Sequence, residues 1–234
     1  MSGKILMKLT SEQNIVKELI QSNIDTGTYT YESILCPICD GDDFIIIAER
    51  DRYNLPTKTS VCRNCGFILS NPRLTQKSLD NFYKKHYRKL YMLHRYATGE
   101  MFNISYNKGK KIYNGMLPFI QGNKKTNLSI LDIGCGDGGI LQYFSDQGHK
   151  CIGFDVDSEY SSKTLKLRTY SILTKKFEDQ QIPPPNVIIC NRTLEHIPNI
   201  GEHLKNIRSL MDSNSLLYTS VPSVTLFTET CNRK

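Results

Sequence analysis

Ile130-Leu131-Asp132-Ile133-Gly134-Cys135-Gly136-Asp137-Gly138-Gly139 is the stretch whose reading decides the fold. It is a short apolar run, interrupted by Asp132, that breaks into a glycine-rich turn, and Ile140, Leu141, Tyr143 and Phe144 follow at helical spacing. That order predicts a buried strand, a tight loop and a helix, the unit that brings a backbone loop and a helix N-terminus up to a phosphate- or nucleoside-type ligand. Glycine is needed in the turn because a backbone that bends sharply and admits a ligand to contact distance has no room for a Cβ. About 20 residues further on in such units an acidic side chain receives the ribose hydroxyls. Here the next apolar run, Cys151-Ile152-Gly153-Phe154, ends in Asp155, with Val156 after it.

The glycines fit two templates. Gly134, Gly136 and Gly139 satisfy the dinucleotide pattern G-x-G-x-x-G, whereas Gly134, Gly136 and Gly138 satisfy G-x-G-x-G. Asp132 separates the two, because an acid two residues before the first glycine would set a second negative charge beneath a pyrophosphate. It suits instead a cofactor with a cationic amino group and a sulfonium. The stretch resembles the first motif of class I S-adenosylmethionine (SAM) methyltransferases. The resemblance implies that SAM is the cofactor, that Gly134, Cys135 and Gly136 admit it close to the backbone, that Asp132 orients the loop and the amino group, and that Asp155 and Val156 lie at the ribose end. An NAD-dependent oxidoreductase is the least favoured reading.

A second signal lies upstream. Cys36-Pro37-Ile38-Cys39 and Cys62-Arg63-Asn64-Cys65-Gly66 form a Cys-x2-Cys, x22, Cys-x2-Cys array. Each pair puts two thiols on one tight turn, and two such turns close a tetrahedral S4 site. The run Phe44-Ile45-Ile46-Ile47 and the polar segment after it supply an intervening hairpin. Zinc is favoured over iron, and a site with four protein ligands has no open position, so this metal stabilises folding and does not catalyse.

The remaining chain frames these two motifs. Thr10 with Gln13 predicts a capping box ahead of an amphipathic helix carrying Ile15, Val16, Leu19 and Ile20. A helical stretch from Thr75 carries Leu79, Phe82, Tyr83, His86, Tyr87, Leu90 and Tyr91 on one broad face, with Lys84, Lys85, Arg88, Lys89 and Arg95 as interleaved basic residues. That interleaving fits a helix packed by its aromatics with solvated lysines opposite, or else a nucleic-acid groove or a diphosphate-binding surface. A further helix runs from about Ser105 to Ile120, and the polar run from Gln121 to Thr126 links it to the glycine-rich unit.

Beyond Asp155 the pattern predicts a helix to about Lys166, a brief strand near Tyr170 to Leu173, and an acidic pair, Glu178-Asp179. By resemblance Glu178 or Asp179 faces the adenine amino group. Asn186-Val187-Ile188-Ile189-Cys190 reads as a central parallel strand buried on both faces, and Asn191-Arg192-Thr193-Leu194-Glu195-His196 follows. Ligands in open α/β sheets sit outside the carboxyl ends of the strands, so Cys190 and Asn191 border the methionine end of the cofactor. The Leu-Glu-His-Ile tetrapeptide is similar to the motif after the fourth strand of many small-molecule methyltransferases. Where related enzymes carry Glu-x-x-Glu-His and hold a divalent metal, this chain has Arg192 in place of the first acid, which argues against metal assistance. His196 is the candidate general base, or else it braces the loop together with Glu195. Ile200 to Met211 form an amphipathic helix, Leu216 to Val221 a fifth strand, and the chain stops at Lys234. Strands 1–5 are therefore expected without the terminal hairpin of the family, as in a truncated chain.

In order and spacing, the cysteines, the tail from Gly66 to Tyr91 and the glycine loop resemble class I methyltransferases with an amino-terminal zinc-binding domain, a group that includes sugar C-methyltransferases. The implied fold is α/β, a Rossmann-like methyltransferase sheet with a zinc ribbon and a helical connector: lead-in helix 1–30, ribbon 31–72, connector 73–126 and SAM-binding domain 127–234. The implied reaction is methyl transfer to a small substrate, a nucleotide-linked sugar or polysaccharide precursor, with an RNA base methyltransferase or a non-catalytic SAM-binding module as alternatives. Composition agrees with a globular chain: of 234 residues, 39% are hydrophobic and 23% charged, and the net charge of +7 permits an anionic partner without requiring one. No apolar run approaches the roughly 20 residues that span a bilayer, and eight cysteines without a secretory signal read as cytoplasmic thiols or metal ligands. Oligomeric state has no signature in the sequence.

Overall fold

The computed structural model describes residues 9–91, 100–122, 127–156, 170–174, 177, 180 and 182–222. They fall into two compact units, one up to Ala97 and one from Thr98 onward.

In the first unit, helix α1 (Ser11–Asp25) starts at the predicted capping box: Thr10 accepts from the Gln13 N–H, and the Gln13 side chain accepts from the Thr10 N–H. These reciprocal bonds satisfy two of the donors a helix start leaves open. Gln13 also donates to the Leu90 carbonyl at 2.7 Å. Val16 and Ile20 enter a core with Tyr29, Tyr53, Leu55 and Leu90. Five short strands follow: β1 (Tyr31–Glu32), β2 (Phe44–Ala48), β3 (Thr59–Cys62), β4 (Ile68–Ser70) and β5 (Arg73–Leu74). β2, β3 and β4 form an antiparallel sheet in that order, so the hairpin between the cysteine pairs forms as read, and β1 pairs with β5. Helix α2 (Gln76–Phe82), a π-helical turn at Tyr83–Tyr87 and helix α3 (Arg88–Tyr91) close the unit. Their aromatics pack on one another. Tyr87 stacks on Tyr91 at 4.9 Å between centroids, Tyr91 meets Tyr53 edge-on at 4.8 Å, and the Arg52 guanidinium lies 5.0 and 4.9 Å from the Tyr53 and Tyr91 rings.

The second unit opens with α4 (Glu100–Gly122), longer at its start than the sequence pattern indicates. There follow β6 (Ser129–Ile133), α5 (Gly139–Asp146), β7 (Lys150–Phe154), β8 (Ser171–Leu173), β9 (Val187–Asn191), a one-turn 3-10 helix at Leu194–His196, α6 (Ile200–Ser209) and β10 (Leu216–Ser220). The sheet is parallel throughout, in the order β10-β9-β6-β7-β8. Order reverses at β6, where β7 and β8 extend to one side and β9 and β10 to the other, so the crevice of this fold opens beyond the carboxyl ends of β6 and its neighbours. Continuous apolar runs suit strands covered on both faces. Ile130, Val187 and Ile189 face one core with Leu141 and Phe144, while Leu131, Ile133 and Ile188 face the other with Ile207. The helix expected between Ser158 and Lys166 lies outside the described residues.

Helix α4 is fixed against the start of α5 by two glycines. A Cβ on Gly139 would come within 2.6 Å of the Phe102 carbonyl and the Ser105 Cβ, and one on Gly109 within 3.0 Å of the Ile140 Cα. Gly115, further along α4, has open space where a Cβ would go. Two substitutions should therefore move stability in opposite directions: Gly139→Ala should lower the free energy of urea unfolding by roughly 1–3 kcal/mol through forced backbone displacement, and Gly115→Ala should raise it by roughly 0.5–1 kcal/mol. Equal effects at the two positions would contradict the helix contact.

Candidate active site and thiol cluster

The loop after β6 is held shut by the end of β7. Gly134 and Cys135 both donate backbone N–H bonds to the Phe154 carbonyl, at 2.7 and 3.1 Å, and Gly136 donates to a carboxylate oxygen of Asp155 at 2.8 Å. Gly134, Gly136 and Gly138 have φ of +76°, +56° and +77°, the left-handed region that costs an L side chain about 1–2 kcal/mol. The buried Tyr170 hydroxyl donates to the Gly138 carbonyl at 2.9 Å and secures the last turn of the loop before α5. Gly134 has a second reason to be glycine, since a Cβ there would run into the side chain of Thr193. Thr193 reaches over from beyond β9 and donates its hydroxyl to the Ile133 carbonyl at 3.0 Å, seating the Arg192–His196 segment on the tip of β6. At Gly136 a Cβ would meet nothing within 4 Å, so the space that a ligand approaching the backbone requires is there.

Charge in this region is negative and partly buried. Asp132 is 1% exposed, and its Oδ2 has no hydrogen-bond partner. Burial first, then the neighbouring charges of Asp155 and Asp137, pushes its carboxyl up to about 8. Asp132 is thus a neutral acid at pH 7, with one oxygen still lacking a donor. Burial raises the Cys135 thiol well above the ordinary range and takes Cys190 up to about 12, with Asp132 adding to both, so the two cysteines are uncharged packing groups at the loop and the β9 tip. Val156, just past Asp155, is 81% exposed, and Asn191 ends β9 half-buried. His196 closes the 3-10 turn, its N–H bonded to the Thr193 carbonyl at 2.9 Å. His196 is exposed by its surface area, and partial desolvation lowers its pKa against a smaller opposing pull from Glu195. Glu178 lies outside the described residues. The sequence pattern gives no sign of Thr193 or Tyr170, whose contacts span 60 and 32 residues and have no local signature.

The four ribbon cysteines come together on two matching turns. Asp40 donates to the Cys36 carbonyl and Cys36 to the Gly41 carbonyl, as Gly66 donates to the Cys62 carbonyl and Cys62 to the Phe67 carbonyl. The residue after the second cysteine is left-handed in both turns, Asp40 at φ 57° and Gly66 at 76°. The four sulfurs lie within 4.8 Å of one another, with Cys36 to Cys65 and Cys39 to Cys62 each at 3.5 Å. Those separations are far beyond a disulfide bond. They suit the edges of a tetrahedron, about 3.8 Å for metal–sulfur bonds near 2.3 Å. The Gly41 N–H, with help from Asn64, lowers the Cys39 thiol to about 6, while at Cys65 the Phe67 N–H is outweighed by desolvation and the neighbouring thiols, which raise it to about 12, so the ion-free cluster favours its first thiolate at Cys39 and disfavours one at Cys65.

A parallel sheet that reverses order at a glycine loop, with an acid at the tip of the neighbouring strand, defines a nucleoside-binding α/β fold. The methyltransferase-domain family model matches residues 108–230, just over half the chain, and the protein belongs to that family. Among solved structures it is similar to the plantazolicin methyltransferase BamL in complex with a triazolic desmethylPZN analog and SAH, with a TM-score of 0.53 and 20% identity over 65% of this chain and 58% of that one. It is also similar to the plantazolicin methyltransferase BpumL with a pentazolic desmethylPZN analog and SAH, with a TM-score of 0.51 and 21% identity over 67% and 61%. At these identities the likeness is one of fold. The chain spans about three-fifths of the length of those two structures. No curated protein matches the sequence.

The state of Asp132 gives a pH dependence with a definite sign. Between about pH 4, where the carboxyl of an unfolded chain ionises, and about pH 8, the folded protein holds a proton that the unfolded chain has released, so stability falls as pH rises. In ligand-free protein the unfolding free energy of Asp132→Asn relative to the parent should therefore climb with pH, by up to about 1.4 kcal/mol per unit from pH 5 to 7. A difference that stays flat in parallel urea titrations would mean that Asp132 is ionised in the folded protein.

Proposed function

We propose that the chain is a SAM-dependent methyltransferase that binds its cofactor across the tips of β6 and β7 and methylates a small acceptor, a nucleotide-linked sugar or polysaccharide precursor. The observation that carries this reading is the acidic crevice: Asp155 tied to the Gly136 N–H, with the buried Asp132 below it still lacking a donor for Oδ2. The Asp155 carboxylate attracts a cationic amino group and a sulfonium and repels a pyrophosphate, and a cation bound there would draw the protonated Asp132 back toward its ionised form. The residues fit the cofactor by role: Asp155 at the ribose, Val156 as the exposed apolar surface beside it, Glu178 toward the adenine, and Gly134, Cys135 and Gly136 along the loop. Asp132 lies beneath the amino group, and Cys190 and Asn191 border the methionine portion. Bound there, SAM supplies an electrophilic methyl group. The chain's own work is to align the acceptor nucleophile with it and, through His196, to take up the proton the acceptor loses.

Cys36, Cys39, Cys62 and Cys65 hold a structural zinc ion on this reading, in the layout of lead-in helix, ribbon, connector and SAM-binding domain, in a cytoplasmic protein. The aromatics around Tyr87 and Tyr91 are engaged with one another and with Arg52, which supports the packing reading of this stretch over a nucleic-acid groove. None of the described helices is long and apolar enough to cross a membrane.

Calorimetry with SAM, S-adenosylhomocysteine and NAD, on protein of measured zinc content, tests the reading. Micromolar affinity for the first two, lost by at least tenfold in Asp155→Ala, is expected; tighter binding of NAD would overturn it. Zinc near one equivalent should accompany the protein, and its removal by a chelator should melt the ribbon's strand signal in circular dichroism. Full retention of that signal in metal-free protein would show that the ribbon folds without an ion.

A further inference from the structure

We propose that the four-cysteine cluster is also a peroxide-sensitive site, in which oxidation expels the metal and joins the two turns through the disulfides Cys36–Cys65 and Cys39–Cys62. This rests on the zinc reading of the ribbon and adds what the site does when it meets an oxidant.

The cluster pairs accessible sulfurs with buried ones. The first cysteine of each turn is inside, Cys36 at 0% and Cys62 at 1% exposure, whereas the second is outside, Cys39 half-buried and Cys65 exposed. The contacts between them cross from turn to turn: Cys65 lies 3.5 Å from the buried Cys36, and Cys39 lies 3.5 Å from the buried Cys62. Each sulfur that an oxidant can reach therefore has a sheltered sulfur of the opposite turn beside it, the arrangement in which an oxidised cysteine is resolved to a disulfide.

The turns are held opposite each other by bonds that do not involve sulfur. The Arg63 N–H donates to the Asp43 carbonyl at 3.0 Å, and the Arg63 guanidinium meets the Asp43 carboxylate at 3.3 Å, which ties the second turn to the start of β2. Cys62 is itself the register partner of Phe44. Ahead of the first turn, the Asn71 side chain accepts from the Ile34 N–H at 3.1 Å and donates to the Ile34 carbonyl at 3.0 Å, fixing that lead-in to the link between β4 and β5. The backbone at both turns is thus tied to the small sheet while the side chains move. A disulfide requires about 2.05 Å between sulfurs, so each cross-turn pair has to close by only roughly 1.5 Å.

With a peroxide as the oxidant the chemistry balances. In the loaded site every sulfur is a thiolate. An outer thiolate attacks one peroxide oxygen, the O–O bond breaks, and the leaving hydroxide takes a proton from solvent to become water, which leaves a sulfenic acid on the outer cysteine. The inner thiolate then attacks that sulfur, forms the S–S bond and displaces a second hydroxide, which is protonated in the same way. Each disulfide gives up two electrons to one peroxide molecule. Zinc takes no part in the electron transfer and leaves because its donors are gone. What remains is a covalent link across the same two turns, able to take over the metal's part in holding them.

The test adds hydrogen peroxide to the intact chain of measured zinc content. Released zinc is read with a chromogenic chelator, strand content by circular dichroism, and thiol pairing by mass spectrometry of unreduced peptides. Zinc should be released, peptides linked as Cys36–Cys65 and Cys39–Cys62 should appear, and the strand signal should persist, in contrast to protein stripped by a chelator. Dithiothreitol with added zinc should restore the zinc content. Links within the turns, Cys36–Cys39 and Cys62–Cys65, would overturn the proposal, as would sulfinic acids without links or zinc retained in excess peroxide. A strand signal lost on oxidation as fully as on chelation would overturn the exchange of one staple for the other. In the double variant Cys36→Ser with Cys65→Ser the Cys39–Cys62 link should still form, and if that variant does not fold the peptide map of the parent decides. Should the purified protein hold no zinc, the zinc reading falls, while the map of the oxidised chain still shows whether the thiols pair between the turns.

Discussion

The crevice depends on one hydrogen bond, the Gly136 N–H donated to the Asp155 carboxylate. It joins the loop after one strand to the end of its neighbour, beside two further N–H bonds from Gly134 and Cys135 to the Phe154 carbonyl. The loop can take this path only because three glycines accept left-handed φ, and the strands bring it there because Ile133 and Phe154 are partners in the parallel register. A charge-assisted bond of this kind is roughly twice as strong as a neutral one. The same bond fixes an anion above the buried Asp132. Burial above all, and then the charge of Asp155, favours the protonated form of Asp132.

The residues legible in the sequence are those whose chemistry demands a residue type at a fixed local spacing. The glycine loop with Asp155, the two cysteine turns, and the Thr10–Gln13 capping box are of this kind, and the structure brings each set together. What is illegible there depends on contacts between distant segments. Thr193 over Gly134 and Tyr170 on Gly138 come from elements whose approach is set by the packed sheet and helices. Gly139 shows how a motif can match for another reason. It completes a dinucleotide template in the sequence, yet its missing Cβ makes room for α4, a requirement that belongs to helix packing. The aromatic and basic stretch is ambiguous in the sequence because both readings use the same residues; only ring contacts separate them.

The first unit faces a different constraint. Its core of fully buried side chains is small, built from α1, Tyr29, Tyr53, Leu55 and Leu90, and β2 carries Ile45, Ile46 and Ile47 with 40–55% of their surface exposed. A unit with so little buried apolar area gains much from a staple that holds two turns together. The thiol turns are built for one before any ion arrives: their backbone bonds repeat residue for residue, and the left-handed positions at Asp40 and Gly66 turn both chains back at the same step. Metal binding to such a pre-shaped site converts directly into folding free energy.

Thr193 couples the two halves of the sheet at this end. Its hydroxyl donates to the Ile133 carbonyl at the tip of β6, and its side chain occupies the space that a Cβ on Gly134 would need, so the segment after β9 and the glycine loop take their positions from one residue. Arg192 just before it is left-handed with its N–H on the Ser220 carbonyl, and the His196 N–H returns to the Thr193 carbonyl. The turn that carries His196 is thus fixed to β6 and β10 together, and a change at Thr193 would be felt at the loop and at that turn at once.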